Sequence, residues 1–491
     1  MDTVRTRFAP SPTGFMHVGN LRTALYAWLL ARSGKGKFIL RIEDTDRTRY
    51  VPGAVDIIYN TLASAGLTHD EGPDVGGPVG PYIQSERQGM YLQYAEELAK
   101  KGAAYYCFCD KKEESEEPIE EEETAPKACP HGCGGGCENL SYEEAITKVK
   151  AGAPYVIRQR IPSDGVTSFS DGVYGDISIE NKVLDDQVLI KRDGMPTYNF
   201  ANVIDDHLMG ITHVVRGCEY LSSTPKYNLL YQAFGWDIPQ YVHLPLIMGR
   251  DAEGNVSKLS KRHGSVSFEN LVAEGYLPEA IVNYIALLGW SPKNDNEIFP
   301  LSELAEIFNV SGLNKASAVF DYAKLRWMNT EYIRKTSLED FTTMACKFAQ
   351  LEGTALEGAW SKIAAILHQR TELLSEIPEK ISFLVKLPDF ELDLFNNKKS
   401  KCDPAAALEI LKEVVPQFTA LADWTPENIG SIISAYAEKY EVKLGKPMWA
   451  VRIAVSGCSV TPGGPSEIMD ILGKEESLKR LALAMDRLSV I

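Results

Sequence analysis

The sequence predicts a multidomain protein in which an α/β region with a parallel sheet is followed by an all-α region. Three observations lead to this prediction. The chain of 491 residues is long enough for three or more domains. Its first 105 or so residues alternate short apolar strands with helical runs, a pattern typical of a parallel sheet. From about Pro278 onward, apolar residues recur at helical spacing between glycine and proline breaks.

The first predicted strand covers residues 4–9, and a loop with two prolines and a glycine ends it. A helix is predicted to begin just after Asn20, so His17, Gly19 and Asn20 lie at a helix N-terminus directly after a strand. Backbone N–H groups and the helix dipole favour phosphate at such a position. His17 can donate to a phosphate oxygen, and Gly19 lets a flat ring or phosphate approach the backbone. Taken alone, a histidine at a helix start is more often a cap or a surface group.

The strand–helix alternation continues after this helix. A second strand is predicted over residues 37–42, and helices over residues 55–65 and 85–101, with a loop rich in glycine and proline between the two helices. Ligands of such sheets bind beyond the carboxyl ends of the strands. Farther on, strands are predicted over residues 105–109, 155–161 and 188–191, and a short helix over residues 144–150.

Five of the nine cysteines fall between Cys107 and Cys137. Such clustering indicates a metal site in a reducing compartment rather than a disulfide framework. Four thiolates suit tetrahedral Zn²⁺, and a closed site far in sequence from the phosphate loop favours a structural role over catalysis. Scattered free thiols are the alternative to a metal site, and six candidate ligands exist for four places. The predicted set is Cys107, Cys109, Cys133 and Cys137, with Cys129 and His131 as alternates.

The formal net charge of −16 argues against a protein that binds nucleic acid through its overall charge. Recognition of RNA would then depend on local basic patches and on shape. No apolar run is long enough to span a membrane, and no signal-peptide pattern is present. A cytoplasmic protein without membrane contact is therefore expected.

Three long stretches carry a family resemblance. They are TRFAPSPTGFMHVGNLRTAL followed by RIEDTDRTR, GMPTYNFANVIDDHLMGITHVVRGCEYLSSTP over residues 194–225, and LIMGRDAEGNVSKLSKR over residues 246–262. Together they resemble the class I aminoacyl-tRNA synthetases, and within them the bacterial-type glutamyl-tRNA synthetases. Residues 17–20 stand where that class carries its HIGH motif, with Asn20 replacing the second histidine. Residues 258–262 resemble its KMSKS loop.

The resemblance implies a domain order. It consists of a Rossmann-like catalytic domain in two halves (1–105 and 191–245), an inserted domain for the tRNA acceptor end (106–190), a KMSKS-loop and stem-contact region (246–335), and an all-helical anticodon-binding region (336–491). The implied activity is that of a glutamate–tRNA ligase. It forms glutamyl-adenylate from L-glutamate and ATP with Mg²⁺, and then transfers the glutamyl group to the 3′-terminal adenosine of tRNA-Glu.

The resemblance also implies site residues. Those that act on ATP include the catalytic set His17, Gly19, Lys258 and Lys261, together with Leu246, Ile247 and Ser260. Those expected around glutamate are Arg7, Ser11, Glu43, Tyr198, Asn202 and Arg216. A pocket for two carboxylates and one ammonium needs guanidinium groups for the acids and an acidic group for the amine, and these residue types meet that need.

The expected roles follow the charges of glutamate. Arg7, with Tyr198 and Asn202, would bind the side-chain carboxylate, and Arg216 would bind the α-carboxylate. Ser11 and Glu43 would then bind the ammonium. Strand parity leaves open whether Arg5 or Arg7 faces the pocket, and the alignment on RFAPSPTG favours Arg7. Without the family, Tyr198 and Asn202 could equally form a buried network at a strand end.

In the helical region, the resemblance places Arg370 and Arg452 against the anticodon. A helical arginine is more often a surface cation, and that alternative stays open.

Glutaminyl-tRNA synthetases share the chemistry but normally end in β-barrels, which this helical C-terminus does not resemble. A truncated tRNA-modifying relative or a small-molecule nucleotidyltransferase would not need the C-terminal region. A non-catalytic derivative of a synthetase should have lost His17, Lys261 or Arg7, and all three are present. Charging of tRNA-Gln stays open, and a monomer is expected.

Overall fold

The computed structural model describes residues 3–45, 51–109, 136–251 and 253–490. It divides into two compact units. The first comprises Met1–Asn270 and Ile281–Asp321, and the second comprises Leu271–Ala280 and Tyr322–Ile491.

Twelve β-strands are formed by the described residues, all of them before residue 320. They are β1 (Arg5–Phe8), β2 (Lys37–Leu40), β3 (Ala104–Cys107), β4 (Val156–Gln159), β5 (Val166–Asp171), β6 (Gly175–Glu180), β7 (Val188–Ile190), β8 (His213–Gly217), β9 (Gln240–Leu244), β10 (Ile247–Arg250), β11 (Val256–Lys258) and β12 (Ala318–Val319).

Parallel pairing organises the strands around the candidate site. β1 pairs with β2, and β8 pairs with β9, both in parallel. The Thr212 N–H donates to the Arg5 carbonyl (3.0 Å), which places the start of β8 beside β1. The side chains that follow β1, β2 and β8 therefore meet at one edge, as expected for a parallel sheet.

The stretch predicted as an insertion supplies two different sheets. β3, β4 and β7 form an antiparallel sheet. The β5–β6 hairpin instead joins the sheet of β8 and β9, because Asp171 at the end of β5 pairs in parallel with Tyr241 on β9.

Helices connect these strands in the first 321 residues. They are α1 (Val18–Ser33), α2 (Ala54–Ser64), α3 (Gln88–Lys100), α4 (Tyr142–Lys150), α5 (Tyr198–Leu208), α6 (Thr224–Phe234), α7 (Phe268–Ala273), α8 (Pro278–Ala286) and α9 (Leu301–Ile307). The helix predicted over residues 85–101 begins later than expected, because Gln84–Arg87 form a 3₁₀ turn before α3.

The remaining helices lie in the second unit. They are α10 (Tyr322–Lys335), α11 (Leu338–Ala349), α12 (Trp360–Leu367), α13 (Ile377–Val385), α14 (Pro404–Ala420), α15 (Pro426–Lys439), α16 (Gly445–Ser456) and α17 (Pro465–Leu488). Within residues 336–490, all of which the structure describes, no β-strand occurs. A parallel sheet followed by an all-helical region confirms the predicted fold class.

The helical unit has an apolar core. Phe341, Phe395 and Phe418 are fully buried in it, among aliphatic side chains from α11 to α17. Local signals match the helix ends: Asp403 caps α14 through the Ala406 N–H, and Thr425 caps α15 through the Asn428 N–H. The apolar spacing read from the sequence therefore corresponds to the buried faces of these helices.

Candidate active site

The N-terminus of α1 is built around His17. The His17 Nδ1 accepts a hydrogen bond from the Gly19 N–H (3.0 Å), so the histidine caps the helix that it precedes. A Cβ on Gly19 would lie 3.2 Å from that Nδ1, so glycine at this position leaves room for the cap. With Nδ1 acting as an acceptor, Nε2 is the nitrogen that His17 can offer as a donor.

Burial lowers the pKa of His17, and the nearby Lys258 ammonium lowers it further. A hydrogen bond with the Leu259 backbone raises this pKa but does not outweigh the other two effects. The imidazole is therefore neutral at neutral pH. Lys258 and Leu259 belong to the basic loop near residue 260, so two motifs that are far apart in sequence meet here. The Val18 N–H also donates to the Val266 carbonyl (2.9 Å), which ties the start of α1 to the segment after that loop.

The basic loop follows the β10–β11 hairpin, in which Met248 pairs with Lys258. Lys258 is exposed. The Ser260 N–H donates to His263 Nδ1 (3.0 Å), which holds the loop in a turn. Lys261 begins the 3₁₀ turn Lys261–His263, and its side chain lies outside the part of the chain that the structure describes.

The backbone expected near adenine lies next to this loop. Ile247 opens β10 and is buried, and its carbonyl accepts from the Leu259 N–H (3.0 Å). Leu246 is half-buried in the connection from β9 to β10. Both residues thus lie beside the loop that carries Lys258 and Ser260.

Arg7 and Arg5 point to different partners, as strand alternation requires. Arg7 is buried, and its Nε lies 3.0 Å from Asp206 Oδ1 on α5. Arg5 instead pairs with Glu71, with its Nη1 2.8 Å from Glu71 Oε1. In both cases the paired carboxylate offsets the cost of burying the guanidinium, which is nearly complete for Arg7 and partial for Arg5.

A buried network of alternating charge connects Arg7 to Glu43. Asp206 also accepts from Arg41 Nη1 (2.7 Å), and Arg41 Nη2 lies 3.0 Å from Glu43 Oε1. Burial would raise the pKa of Asp206, but Arg7 and Arg41 outweigh it and hold that pKa below its usual range. Burial raises the pKa of Glu43 to about 7, although the same two arginines oppose the shift.

Tyr198 and Asn202 lie one turn apart on α5. The Asn202 side-chain amide donates to the Tyr198 carbonyl (2.8 Å), and the Tyr198 ring lies 5.4 Å from that of Tyr220. The alternative of a network at a strand end is therefore wrong, because these residues open a helix, where positions i and i+4 share a face. Ser11 is exposed in the loop after β1, next to Pro10, whose carbonyl accepts from the Glu43 N–H (3.1 Å).

Arg216 is buried at the end of β8 in a neutral, aromatic environment. Its guanidinium carbon lies 4.7 Å from the ring centre of Tyr227, 5.1 Å from that of Tyr220 and 5.4 Å from that of Tyr241. Its Nε donates to His243 Nε2 (3.1 Å), and its Nη2 to Thr224 Oγ1 (2.8 Å). Among the described residues, no carboxylate lies within ion-pair distance of it.

Three of the predicted metal ligands come together at the end of β3. The sulfurs of Cys107, Cys109 and Cys137 all lie within 4.8 Å of one another, and that of Cys109 lies 3.7 Å from that of Cys137. Tetrahedral zinc with Zn–S bonds of about 2.3 Å separates its sulfurs by about 3.8 Å, so this spacing fits the metal. Cys133, Cys129 and His131 lie outside the described residues.

The two arginines predicted to meet the anticodon are close in space. Arg370 is exposed in the 3₁₀ turn His368–Arg370 that follows α12, and Arg452 is half-buried on α16. Burial lowers the pKa of Arg452, and the charge of Arg370 lowers it further. The Arg452 Nε is buried without a hydrogen-bond partner. Two neighbouring cations favour an anion between them.

Sequence reasoning missed the residues that hold the predicted ones. These are Arg41, Asp206, His243 and Asp171, the last of which accepts from His243 Nδ1 (2.7 Å). A usable signal existed for one of them, since two adjacent aspartates interrupt the apolar run of α5 and must find partners if they are buried. The strand that carries His243 offers no such signal.

Comparison with known proteins agrees with this geometry. Residues 3–327 match the family of class I tRNA synthetases (E and Q), catalytic domain, and residues 330–485 match an anticodon binding domain. A glutamate–tRNA ligase of Clostridium botulinum (strain Hall) is 55% identical over 488 residues, 99% of either chain. The glutamate–tRNA ligase of Clostridium novyi is 54% identical over 99% of this chain and 98% of its own.

A solved structure is similar over the same length. A glutamate tRNA ligase from Elizabethkingia meningosepticum, crystallised in complex with its amino acid, superposes with a TM-score of 0.86 at 35% identity, covering 99% of this chain and all of the other. Among the described residues, no helix combines the length and the apolar character needed to cross a bilayer.

Proposed function

Because this chain belongs to the class I glutamate–tRNA ligases, which bind ATP, glutamate and tRNA, we propose specific roles for its residues in that reaction. The observation that carries the proposal is Arg216, a buried guanidinium that has no carboxylate of the described residues within ion-pair distance. A buried charge without an ion partner is costly. A ligand carboxylate would remove that cost, so Arg216 binds the α-carboxylate of glutamate.

The other end of glutamate is bound by Arg7. Asp206 engages its Nε and the Val215 carbonyl accepts from its Nη1 (3.3 Å), which leaves Nη2 for the side-chain carboxylate. Tyr198 and Asn202 on the first turns of α5 complete this subsite. Recognition by a held guanidinium favours a planar carboxylate over the neutral amide of glutamine.

The ammonium of glutamate is bound by Glu43 and Ser11. Glu43 follows β2, and its backbone N–H is tied to the loop that carries Ser11. The Arg41 guanidinium orients the carboxylate through Oε1, so Oε2 is available to a cationic ligand.

Activation joins glutamate to the α-phosphate of ATP. A carboxylate oxygen attacks the α-phosphorus, the bond from that phosphorus to the bridging oxygen breaks, and pyrophosphate leaves with the bond electrons. His17 Nε2, the N-terminus of α1, Lys258 and Lys261 stabilise negative charge on the phosphates, while Ser260, Leu246 and Ile247 position the nucleotide. Mg²⁺ bound with ATP would supply positive charge against the phosphates during this step.

The second step moves the glutamyl group to tRNA. A ribose hydroxyl of the terminal adenosine attacks the activated carbonyl carbon and gives up its proton to the leaving phosphate, the bond from that carbon to the phosphate oxygen breaks, and AMP leaves with the bond electrons. We propose that Arg370 and Arg452 contact the anticodon of tRNA-Glu, supported by their proximity and by the unpartnered Arg452 Nε. The expected domain boundaries, a monomeric state and a cytoplasmic location stay predictions.

We further propose that Cys107, Cys109 and Cys137 hold a structural zinc ion with Cys133 as the fourth ligand. Elemental analysis of protein purified without added metal should find about one zinc per chain, as a closed four-thiolate site requires. Cys137→Ser should lose this zinc and lower the melting temperature, whereas Cys346→Ser, at an exposed cysteine, should keep it. Equal zinc content in both variants would exclude this ligand set.

The test of the proposed roles is ATP–pyrophosphate exchange with glutamate and with glutamine, each with and without tRNA. Arg216→Met should raise the KM for glutamate and leave the KM for ATP nearly unchanged, since it removes a contact to the amino acid alone. Lys258→Ala should mainly lower kcat, because its contact strengthens as charge develops on the phosphates. An Arg216→Met enzyme with an ordinary KM for glutamate would refute the assignment of Arg216.

A further inference from the structure

Arg216 is held by a histidine that is itself held by an aspartate. His243 on β9 stands directly opposite Arg216 in the parallel β8–β9 register, and its Nε2 accepts from Arg216 Nε (3.1 Å). The other ring nitrogen, Nδ1, lies 2.7 Å from Asp171 Oδ2. The side chains of His243 and Asp171 are completely buried.

Asp171 fixes the tautomer of this histidine. A carboxylate can only accept, so Nδ1 carries the proton and Nε2 is left as an acceptor for the Arg216 N–H. Burial lowers the pKa of His243 despite the hydrogen bond to Asp171, so the ring is neutral at neutral pH. Either the other tautomer or the imidazolium would place an N–H against the N–H of Arg216 and break this contact.

The remaining contacts of Arg216 reach the faces and the Nη2 of its guanidinium rather than its Nε. The faces of Tyr220, Tyr227 and Tyr241 surround it but accept no directed hydrogen bond. Thr224 Oγ1 accepts from Nη2 (2.8 Å) while its hydroxyl donates to the Tyr220 carbonyl (2.8 Å), so Thr224 holds the far end of the guanidinium. Among the described residues, His243 supplies the acceptor for Nε.

We propose that the Asp171–His243 pair positions Arg216 to receive the α-carboxylate of glutamate. Asp171 and His243 are positioning residues in this scheme, since neither contacts the substrate. The inference rests on the proposed function, because it assumes that Arg216 binds the α-carboxylate.

A purely structural role is the competing explanation. Asp171 also accepts from the N–H groups of Val173 and Tyr174 (2.9 Å each) and from the His243 backbone N–H (3.1 Å). These bonds hold the β5–β6 turn and the β5–β9 junction whatever the side chain at position 243. The test must therefore separate the Nε2 acceptor from the Nδ1 donor.

Two substitutions make this separation. In His243→Gln, the amide lies where Nε2 was and can accept from Arg216, but the side-chain bond to Asp171 is lost. In His243→Asn, the shorter amide lies where Nδ1 was and can still donate to Asp171, but Arg216 loses its acceptor. Both variants leave the backbone bond from residue 243 to Asp171 in place.

The measurement is ATP–pyrophosphate exchange in the presence of tRNA, with KM determined separately for glutamate and for ATP. We expect His243→Asn to raise the KM for glutamate about tenfold or more, the effect of removing one hydrogen bond to a charged group. His243→Gln should stay within about threefold of the unchanged enzyme, and neither variant should alter the KM for ATP by a similar factor. His213→Asn on β8, whose Nδ1 lies beside Thr212, is the matched control and should behave like the unchanged enzyme.

The outcomes separate the inference from the assignment beneath it. If His243→Gln is impaired as much as or more than His243→Asn, or if both raise the two KM values together, the role of the pair is structural and the inference is overturned. If Arg216→Met itself keeps an ordinary KM for glutamate, the assignment of Arg216 fails and the inference fails with it. If Arg216→Met is impaired while both His243 variants bind glutamate normally, only the inference fails.

Discussion

In the first unit, guanidinium and carboxylate groups are buried together near the carboxyl ends of β1 and β2, and Arg7, Asp206, Arg41 and Glu43 alternate in sign within this cluster. In the helical unit, the core is apolar, and its buried Arg480 pairs with Glu476 and donates to the Phe383, Leu384 and Val455 carbonyls. Of the two cations predicted to meet RNA there, Arg370 is exposed and Arg452 is half-buried.

The difference reflects the size of each ligand. A small zwitterion can be enclosed, and charges that bind it must first be held in a dry site by partners of opposite sign. A folded RNA is too large to be enclosed, so its phosphates and bases are contacted from the surface. We therefore propose that buried charge serves recognition in the first unit, whereas the buried Arg480 of the second unit binds carbonyls at helix ends.

The largest expected effect tests whether the buried charges of the first unit serve recognition. Arg7→Met should lower kcat/KM for glutamate about a hundredfold to a thousandfold, because it removes a buried charge-assisted contact and leaves Asp206 with one arginine fewer. ATP–pyrophosphate exchange with tRNA present measures this. Arg5→Met on the same strand loses its pairing with Glu71 and its hydrogen bond to the Met209 carbonyl, neither of which involves the proposed glutamate subsite, and should stay within about threefold. If both variants lose kcat/KM for glutamate by the same factor, the buried charges of the first unit serve its structure and not recognition.

The second prediction tests whether buried charge in the helical unit serves stability. Arg480→Met should lower the free energy of unfolding by about 2 kcal/mol, since three buried carbonyls at the ends of α13 and α16 lose their donor. Urea denaturation followed by far-UV circular dichroism measures it. Lys479→Met, at an exposed neighbouring residue, is the control. If the Arg480→Met protein has the same free energy of unfolding as the unchanged chain, buried charge in the helical unit does not serve stability.

A smaller effect concerns the exposed cations. Arg370→Gln should narrow the ratio of kcat/KM between tRNA-Glu and tRNA-Gln about tenfold, as expected when one base contact is lost. Aminoacylation of both tRNAs measures this ratio. Lys412→Gln, at an exposed cation of the same unit paired with Glu409, should leave it unchanged. A ratio unaffected by Arg370→Gln would exclude a role for Arg370 in discrimination.

The smallest effect is a pH dependence. The pKa of Glu43 is raised to about 7, so the carboxylate that we propose to bind the ammonium of glutamate forms as the pH rises through that value. The KM for glutamate should therefore fall about tenfold from about pH 6 to about pH 8. In the ligand-free protein the folded state binds the extra proton, so Glu43 lowers stability as the pH rises from about 4.3 to about 7. Glu43→Gln should have a higher KM for glutamate that does not change over this pH range. If the KM of this variant still falls with pH, another group is responsible for the pH dependence.

Several features of the site were predictable because their signals are local. The proline and glycine break after β1 and the apolar spacing of α1 place His17 at a helix N-terminus, and the structure confirms that position. The resemblance favoured Arg7 over Arg5, and Arg7 is the arginine that joins the buried charge network. The spacing of the cysteines also predicts a cluster of thiols, and the sulfurs of Cys107, Cys109 and Cys137 lie within 4.8 Å of one another.

Tyr198 and Asn202 show where local reasoning reached its limit. The assignment of residues 194–225 rests on the resemblance and not on their periodicity, so the sequence analysis predicts no helix where α5 lies. The helix matters because it carries Asp206, the partner of Arg7, eight residues after Tyr198. Without the helix, neither the shared face of Tyr198 and Asn202 nor the position of Asp206 could be deduced.

By itself, the sequence determined the alternation of strands and helices over the first 105 or so residues, the fold class and the residue types offered to each ligand, because periodicity, breaks and caps act over a few neighbouring residues. Only the tertiary structure decided which charges face each other. Arg7 and Arg41 meet Asp206 across 199 and 165 positions of sequence, and His243 meets Asp171 across 72. Electrostatic energy depends on atomic distance and on burial, and both arise only when these elements pack.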